Sequence, residues 1–152
     1  MGLFDGYNVA ASGMNAQRTR VNVVSANIAN AQTTHTLEGG PYVKKNVVFQ
    51  EILLNQKDVQ KNENALSDKG SFVRPLSGVG VREVIDSKRE PVMKYEPSHP
   101  EANEDGYVAY PNINPVVEMV DLLEATKSYE ANVSAFTAHK TMDTQTLDIL
   151  KG

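Results

Sequence analysis

Apolar and small side chains near the N-terminus recur at alternating intervals of three and four residues. The series consists of Phe4, Tyr7, Ala11, Met14, Val21 and Ile28, interrupted by Arg18 and Ser25. This spacing keeps side chains on one narrow face of an α-helix, as in a coiled-coil seam. Asp5 is a suitable N-cap, and Asn27 or Asn30 is suited to the C-terminal end. The pattern predicts a helix from Phe4 to about Ile28.

The C-terminal part of the chain carries a second series of the same kind. Asn114 is a suitable N-cap, Pro115 fits the first helical position, and Glu118 lies where the helix dipole favours a negative charge. The series itself consists of Met119, Leu122, Thr126, Tyr129, Val133, Phe136, Leu147 and Leu150, interrupted by Lys140 and Asp143. It predicts a helix that reaches Leu150 or frays after Lys140.

Proline and glycine occur at short intervals between these two segments, which excludes long helices there. Runs rich in β-branched and aromatic residues predict strands at Val47 to Leu53, Val79 to Ile85 and Val92 to Tyr95. Residues 55–71 are polar and lack periodicity, so they predict a mobile loop. We therefore expect an α+β fold in three parts, namely an N-terminal helix in 1–31, a β-rich middle region in 32–112 and a C-terminal helix in 113–152.

Each helical stripe is too narrow to bury a whole helix, so helices of neighbouring subunits would have to cover what one seam leaves exposed. Isolated helices of this kind are marginally stable, and we expect both ends to become ordered on assembly. The pattern leaves two alternatives open. The stripes alone would also suit the core of an intramolecular helical hairpin. The second alternative is an N-terminal helix on a membrane surface, which is disfavoured because Arg18 and Arg20 are its only cations and anionic lipid would gain little.

Composition narrows the classes of function. The chain has 152 residues, of which 40% are hydrophobic and 7% aromatic, enough for one ordinary domain. Its net charge of -4 and scattered Lys and Arg residues argue against nucleic acid as a partner. The absence of Cys excludes disulfides and thiolate metal sites. The N-terminus lacks the pattern of a cleaved secretory signal, and no apolar run is long enough to span a bilayer, so we expect no direct membrane insertion.

The strongest ligand-like pattern begins at Glu101, where oxygen-bearing residues and a glycine follow the first half of a calcium-binding EF-hand loop. Asn112 stands where that loop requires a bidentate glutamate, and prolines occupy the flanks, so we interpret this segment as a solvated turn. The histidines lack metal-ligand spacing; they are His35, His99 and His139. We predict no catalytic residue, no metal and no cofactor.

Several stretches resemble one protein family. Residues 11–17 (ASGMNAQ) and 25–31 (SANIANA), followed by Thr33 and Thr34, resemble the N-terminal signature of bacterial flagellar rod and hook proteins. Residues 40–51 (GPYVKKNVVFQE) and 95–112 (YEPSHPEANEDGYVAYPN) resemble the FlgC type of proximal rod protein in particular. The resemblance continues through Glu118-Met119 and residues 128–133.

The short length agrees with this narrower resemblance, because distal rod and hook members carry larger inserted domains. The FlgB type of proximal rod protein is the nearest alternative, and residues 99–112 distinguish the two. In that segment we expect turns and a short strand that lead into the capped helix. A helical assembly or adaptor module outside the flagellum is the remaining alternative.

The resemblance implies a subunit of the flagellar basal-body proximal rod. Its terminal helices would pair as a coiled-coil-like D0 domain and polymerise into a hollow drive shaft between the membrane ring and the distal rod. The subunit would be exported without a cleaved signal peptide and assemble in the periplasm. The implied partners are copies of itself, other flagellar rod proteins, proteins of the junction between membrane ring and rod, and the flagellar type III export apparatus.

We expect an assembly interface on both terminal helices. Its predicted residues are Met14, Val21, Asn27, Ile28, Asn30, Met119, Leu122, Tyr129, Val133 and Phe136. The apolar members would supply packing contacts. Asn27 and Asn30 would either end the first helix or form hydrogen bonds between subunits, and their place in the family signature favours the second role.

Overall fold

The computed structural model describes residues 5–54 and 77–151, so the predicted mobile loop at 55–71 lies outside the described residues. The described part of the chain forms two helices and four strands in the order α1, β1, β2, β3, β4, α2. Their bounds are Asp5–Ala29 for α1, Lys45–Leu53 for β1, Ser77–Asp86 for β2, Val92–Tyr95 for β3, Tyr107–Tyr110 for β4 and Pro115–Lys151 for α2. The predicted α+β fold, with a helix at each end and a small β-structured middle, is confirmed.

The helix ends follow from local hydrogen bonds. Asn114 Oδ1 accepts a hydrogen bond from the N–H of Val116 at 3.0 Å, so Asn114 caps α2 and Pro115 takes the first helical position. At the end of α1, both the N–H and the side-chain Nδ2 of Asn30 donate to the carbonyl of Ala26, at 3.0 and 2.9 Å. The two predicted end signals are therefore confirmed, and α2 continues beyond Lys140.

The strands form two separate two-stranded sheets. Strand β1 pairs with β2, and β3 pairs antiparallel with β4, where Val92 lies opposite Tyr110 and Tyr95 lies opposite Tyr107. Successive side chains of a strand point to opposite faces. Accordingly Val108 is buried, whereas its neighbour Tyr107 and the cross-strand partner Tyr95 are exposed and touch edge to face.

The turn between β3 and β4 is built around Asn103 and Gly106. Asn103 Oδ1 accepts hydrogen bonds from the N–H groups of Asp105 at 3.1 Å and Tyr107 at 2.7 Å. Gly106 has a φ of +80°, in the left-handed region that glycine enters without steric cost. The N–H of Glu96 donates to the carbonyl of Gly106 at 2.9 Å, which fixes the start of the strand pairing.

Gly106→Ala is expected to destabilise this turn. A non-glycine residue at such a φ costs about 1–2 kcal/mol, and its Cβ would lie 2.9 Å from Cε2 of Tyr95. Gly39→Ala is a matched control, because Gly39 has a φ of +87° with nothing within 4 Å of a Cβ. Urea unfolding should therefore show a larger loss for Gly106→Ala than for Gly39→Ala. Equal losses would mean that the Tyr95 contact has no effect.

The chain divides into two compact units, each of which contains a part of α1, of α2 and of the sheet formed by β1 and β2. Unit 1 comprises the described parts of Met1–Gln17, Phe49–Arg82 and Lys127–Gly152. Unit 2 comprises Arg18–Val48 and Glu83–Thr126. The predicted division into two terminal helices and a β-rich middle region cuts the chain differently and stays a prediction.

Candidate assembly interface

The residues of α1 that face α2 recur at intervals of three and four residues. Each of them lies one position earlier in the sequence than a position of the predicted stripe. In unit 1 the contacts of α1 with α2 include Gly6 and Gly13, and in unit 2 they include Arg20 and Asn27. Ala10 and Val24 continue the same series and are buried. The predicted members lie one residue later and are half-buried; they are Met14, Val21 and Ile28. One residue corresponds to about 100° around a helix, so the predicted stripe lies beside this seam.

In unit 1 the two helices approach closely at glycines of α1. A Cβ added to Gly13 would lie 2.6 Å from Oδ1 of Asn132, and one added to Gly6 would lie 2.6 Å from Cε1 of His139. Since Gly6 precedes Gly13 while His139 follows Asn132, the helices run antiparallel in this unit. Close approach of two helices requires such small residues on at least one of them.

Gly13→Ala is expected to lower the free energy of unfolding by about 1–3 kcal/mol, because Asn132 must move to admit the methyl group. Asn132 is held in place by a hydrogen bond from its Nδ2 to the carbonyl of Ser128 at 2.9 Å. Adding Asn132→Ala should recover part of the loss. Strict additivity of the two changes in urea unfolding, measured in sucrose to favour the folded state, would contradict a direct contact.

Tyr7 connects the same two helices through its ring and its hydroxyl. Its ring meets Phe136 edge to face with centroids 4.9 Å apart, and its hydroxyl donates to Oδ2 of Asp143 at 2.6 Å. The hydrogen bond to Asp143 raises the pKa of Tyr7 above its ordinary value, so the hydroxyl stays protonated, as a donor, to a higher pH than that of a free tyrosine. Phe136, a predicted interface residue, is therefore half-buried within its own chain.

In unit 2 a buried polar cluster joins α1, α2 and the start of β1. Asn27 is 0% exposed. Its Nδ2 donates to the carbonyl of Lys45 at 2.8 Å and to Oε2 of Glu118 at 3.0 Å. Its Oδ1 accepts from the N–H of Lys45 at 2.9 Å and from the hydroxyl of Tyr42 at 3.2 Å. All four hydrogen-bonding positions of the amide are thus filled within the chain.

Glu118 completes this cluster, which we call the polar junction and define as Asn27, Tyr42, Lys44, Lys45 and Glu118. Glu118 is 1% exposed, and its Oε1 binds Nζ of the partly buried Lys44. Burial raises the pKa of Tyr42 above its ordinary value, so its hydroxyl remains a donor to Asn27 to a higher pH than that of a free tyrosine. Each buried polar group of the junction therefore has a partner, as buried polar groups require.

Periodicity in the sequence did not find Tyr42, Lys44 or Lys45. Glu118 was expected only to suit the dipole of α2, and the structure adds its ion pair with Lys44. The available signals were a polar residue, Asn27, in the apolar N-terminal pattern and an acidic residue in a first helical turn. Neither signal identifies the partner residues, because these come from separate parts of the chain.

The ten predicted interface residues occupy different surroundings. The side chain of Asn27 is used in the polar junction, and Asn30 bonds to Ala26 and accepts from Thr33 Oγ1 at 3.1 Å. Half-buried positions are occupied by Met14, Val21, Ile28, Leu122 and Phe136. Exposed positions on α2 are occupied by Met119, Tyr129 and Val133. A role of these residues between subunits stays a prediction.

The described residues were compared with the requirements of a metal site and of a membrane-spanning helix. Residues 5–54 and 77–151 contain no group of three or more His, Cys, Asp or Glu side chains placed to hold a metal ion. Neither helix in these ranges has a stretch long and apolar enough to cross a membrane.

Known proteins resemble this chain at both ends and along its length. The family described as "Flagella basal body rod protein" matches residues 8–34, and "Flagellar basal body rod FlgEFG protein C-terminal" matches residues 104–149. The flagellar basal-body rod protein FlgC of Borreliella burgdorferi is 38% identical and aligns over 100% of both chains. The FlgC protein of Bacillus subtilis is 37% identical over 99% of this chain and 100% of its own length. The FlgC protein of Salmonella typhimurium is 34% identical over 98% of each chain.

Proposed function

We propose, because this chain belongs to the FlgC family of flagellar basal-body rod proteins, that it polymerises through its two terminal helices to build the proximal rod. The chain is a structural subunit of the basal-body rod, and the names of its relatives favour this assignment over the FlgB type. Similarity over the full length to proteins of this one name is the observation that carries the proposal. The hollow shaft so formed would join the membrane ring to the distal rod.

Contacts in both units support a coiled-coil-like D0 domain made of α1 and α2. Gly13 meets Asn132 in unit 1, and Asn27 meets Glu118 in unit 2. The α1 positions in these contacts follow three-four spacing, which is typical of a seam between two long helices. We assign 1–31 and 113–152 to this domain and 32–112 to a β-rich middle region.

Neighbouring subunits would contact one side of the helix pair within each unit, and we call this side the flank face. It consists of Met14 and Val133 in unit 1, and of Val21, Ile28 and Met119 in unit 2. These residues follow the seam positions by one residue on each helix. Because the helices are antiparallel, one step forward on either helix turns toward the same side. The flank face is apolar, and Val133 and Met119 are 39% and 49% exposed, as expected for a surface that a neighbour covers.

Another side of α1 in unit 1 is already occupied by a strand. Ser12 Oγ accepts a hydrogen bond from the N–H of Val79 on β2 at 3.2 Å. Ser12 precedes the seam residue Gly13 by one position, whereas Met14 follows it, so the two lie on opposite sides of the seam. The arrangement supports the flank face as the side for helices of other subunits.

The family assignment also supports narrower proposals about location and partners. The subunit would leave the cytoplasm through the flagellar type III export apparatus without a cleaved signal peptide and assemble in the periplasm. Its partners would be copies of itself, other rod proteins, and proteins at the junction of membrane ring and rod. It would need no cofactor and carry no catalytic residue.

Hydrogen exchange separates folding on assembly from an autonomous helical hairpin. If assembly completes the order of the termini, amides of α1 and α2 should exchange rapidly in a dilute monomer. Slow exchange along both helices at low concentration would instead support the hairpin alternative. Amides of β3 and β4 serve as the internal reference, because these strands pair with each other.

Electron cryotomography of basal bodies tests the proposed function. Cells that lack the gene should contain basal bodies halted at the membrane ring, and the intact chain should restore complete rods and motility. Complete rods in the deletion strain would overturn the proposal. If a FlgB-type rod protein restored complete rods in the deletion strain, the chain would instead be assigned to the FlgB type.

A further inference from the structure

We propose that three members of the polar junction, Asn27, Lys44 and Glu118, determine the register in which α1 and α2 pair, and contribute specificity more than net stability. This inference deepens the proposed function, since a rod requires every copy to fold in one register. It rests on that function only for its cellular readout.

Apart from Tyr7, whose ring meets Phe136 and whose hydroxyl donates to Asp143, the rest of the seam has few large side chains that define a register. In unit 1 the α1 side of the seam consists largely of small residues, Gly6, Ala10 and Gly13, and in unit 2 the α2 side contains the fully buried Ala125. Registers of a coiled coil are fixed when side chains of one helix fit specific holes in the other. Glycine and alanine supply almost no such side chains. Helices with this seam would also pack after a slide of one heptad, about 10 Å along the axis. Such a slide would break the contacts of Tyr7, but its hydrogen bond to Asp143 is only partly buried, so water can replace it.

The charged contact next to the junction is also a weak determinant. Arg20 Nη2 lies 3.5 Å from Oδ1 of Asp121 and 3.2 Å from Oε2 of Glu124. The carboxylate of Glu124 is mostly exposed, and ion pairs in contact with water contribute little. The long arginine side chain also reaches more than one acceptor, as its two contacts show. Arg20 therefore tolerates a displaced partner.

The polar junction tolerates no displacement. Asn27 makes three of its four hydrogen bonds only when α2 presents Glu118 and β1 presents the backbone of Lys45 at the same time. A slide of one heptad in one direction would place Ala125 opposite Asn27. A slide in the other direction would leave Asn27 opposite a residue that precedes the start of α2. The buried amide and the buried carboxylate would then both lose partners, which is unfavourable for each group.

The junction also ties the helix pair to the sheet. Lys44 binds Glu118 through its side chain, and its carbonyl accepts a hydrogen bond from the N–H of Ser87 at 2.7 Å. Lys45 Nζ lies 3.0 Å from Oδ1 of Asp86 at the end of β2. The sheet formed by β1 and β2 therefore fixes the position of Glu118 relative to α1, and this sheet does not slide with either helix.

A buried ion pair with its hydrogen bonds is often no more stable than well-packed apolar residues of similar size, because both charges lose their hydration. Replacement of all three residues by apolar ones should therefore preserve helix content and melting temperature while it removes register specificity. A single buried polar residue has this effect in coiled coils, where it fixes register at a cost in stability. The groups that lose Asn27 as a partner are the Tyr42 hydroxyl and the backbone of Lys45, which belong to half-buried and exposed residues that water can reach.

Spin-label distances measure the register directly. The chain has no Cys, so pairs of introduced cysteines are labelled uniquely. The pair Asn8→Cys and Ala138→Cys reports on unit 1, and Asn22→Cys and Thr126→Cys reports on unit 2; all four positions are exposed. Measurements use the purified full-length chain in sucrose, which favours the folded state, and circular dichroism verifies equal helix content.

Two apolar sets test the junction, so that poor packing in one set does not decide the result. The first set is Asn27→Leu, Lys44→Met and Glu118→Leu, and the second is Asn27→Met, Lys44→Leu and Glu118→Met. The unsubstituted junction should give one narrow distance for each label pair. Both apolar sets should add a population displaced by up to about 10 Å, with an unchanged melting temperature, and should fail to restore motility.

A single undisplaced distance in both apolar sets would overturn the proposal, because the seam alone would then define the register. Unfolding of both sets in sucrose would also overturn it, because the junction would then be a source of net stability. These outcomes do not depend on the cellular role. Failure of the unsubstituted chain to complement the deletion would remove the proposed function and leave the distance measurement valid.

Discussion

Glu118→Ala is expected to lower the free energy of unfolding by about 3–5 kcal/mol, the usual result of breaking a buried ion pair from one side. The substitution leaves the ammonium group of Lys44 and one donor of the Asn27 amide without their partner. Both groups are wholly or largely shielded from water, so solvent replaces the lost contacts poorly. Urea unfolding followed by circular dichroism in sucrose measures the loss.

Glu130→Ala is the matched control for this experiment. Glu130 also lies on α2 and binds a lysine, Lys127, at 2.8 Å, but its side chain and that of Lys127 are 56% and 77% exposed. An exposed pair of this kind contributes roughly 0–1 kcal/mol, so the control should unfold almost as the unchanged chain does. If Glu118→Ala and Glu130→Ala lowered the free energy of unfolding by similar amounts, burial would not increase the contribution of the Glu118 ion pair to stability.

Val133→Asp is expected to abolish rod assembly while the isolated chain keeps its fold. Val133 lies on the flank face and is 39% exposed, so its own chain leaves room for the carboxylate to meet water. In a rod the same carboxylate would be enclosed between helices without a partner, at every repeat of the contact. Motility and the rod fraction of purified basal bodies should both be lost, with the circular dichroism spectrum unchanged.

Ala135→Asp controls for the added charge and for helix propensity. Ala135 is an exposed residue of α2 two positions after Val133 and lies outside the flank face. Alanine is the stronger helix former, so this control weakens the helix at least as much as Val133→Asp does. It should assemble normally. Assembly by Val133→Asp, or failure of both variants, would remove the flank face from the interface.

The helix ends and the strands were predictable from the sequence because their signals are local. Asn114 followed by Pro115 identified the start of α2, and the structure places both as predicted. The strand predicted from Val92 to Tyr95 has these same bounds. Capping and turn formation depend on residues a few positions apart, which is the range that sequence patterns describe.

The in-chain seam of α1 was displaced by one position from the predicted stripe for a physical reason. Hydrophobic periodicity finds the face with the largest apolar side chains, here Met14, Val21 and Ile28. The helices approach each other instead at Gly6 and Gly13, where the absence of a side chain permits close contact. Close packing selects small residues, and periodicity of hydrophobicity does not detect them.

The polar junction was unpredictable for a different reason. Its members Asn27 and Glu118 are separated by 91 positions, and Lys44 and Glu118 by 74. The sequence pattern around a polar residue is the same whether that residue faces solvent, a neighbouring subunit or a buried carboxylate. Only the folded chain brings the members together and shows that the amide of Asn27 is fully used within it.

Rod assembly through the flank face can be seen in an electron cryo-microscopy map of basal bodies purified from cells that carry this chain. We expect density for the chain in the proximal rod, with α1 and α2 antiparallel and with Met14 and Val133 in contact with neighbouring subunits. A complete proximal rod without density for this chain would contradict its assignment as a rod subunit. A rod in which Met14 and Val133 face solvent in every copy would contradict assembly through the flank face.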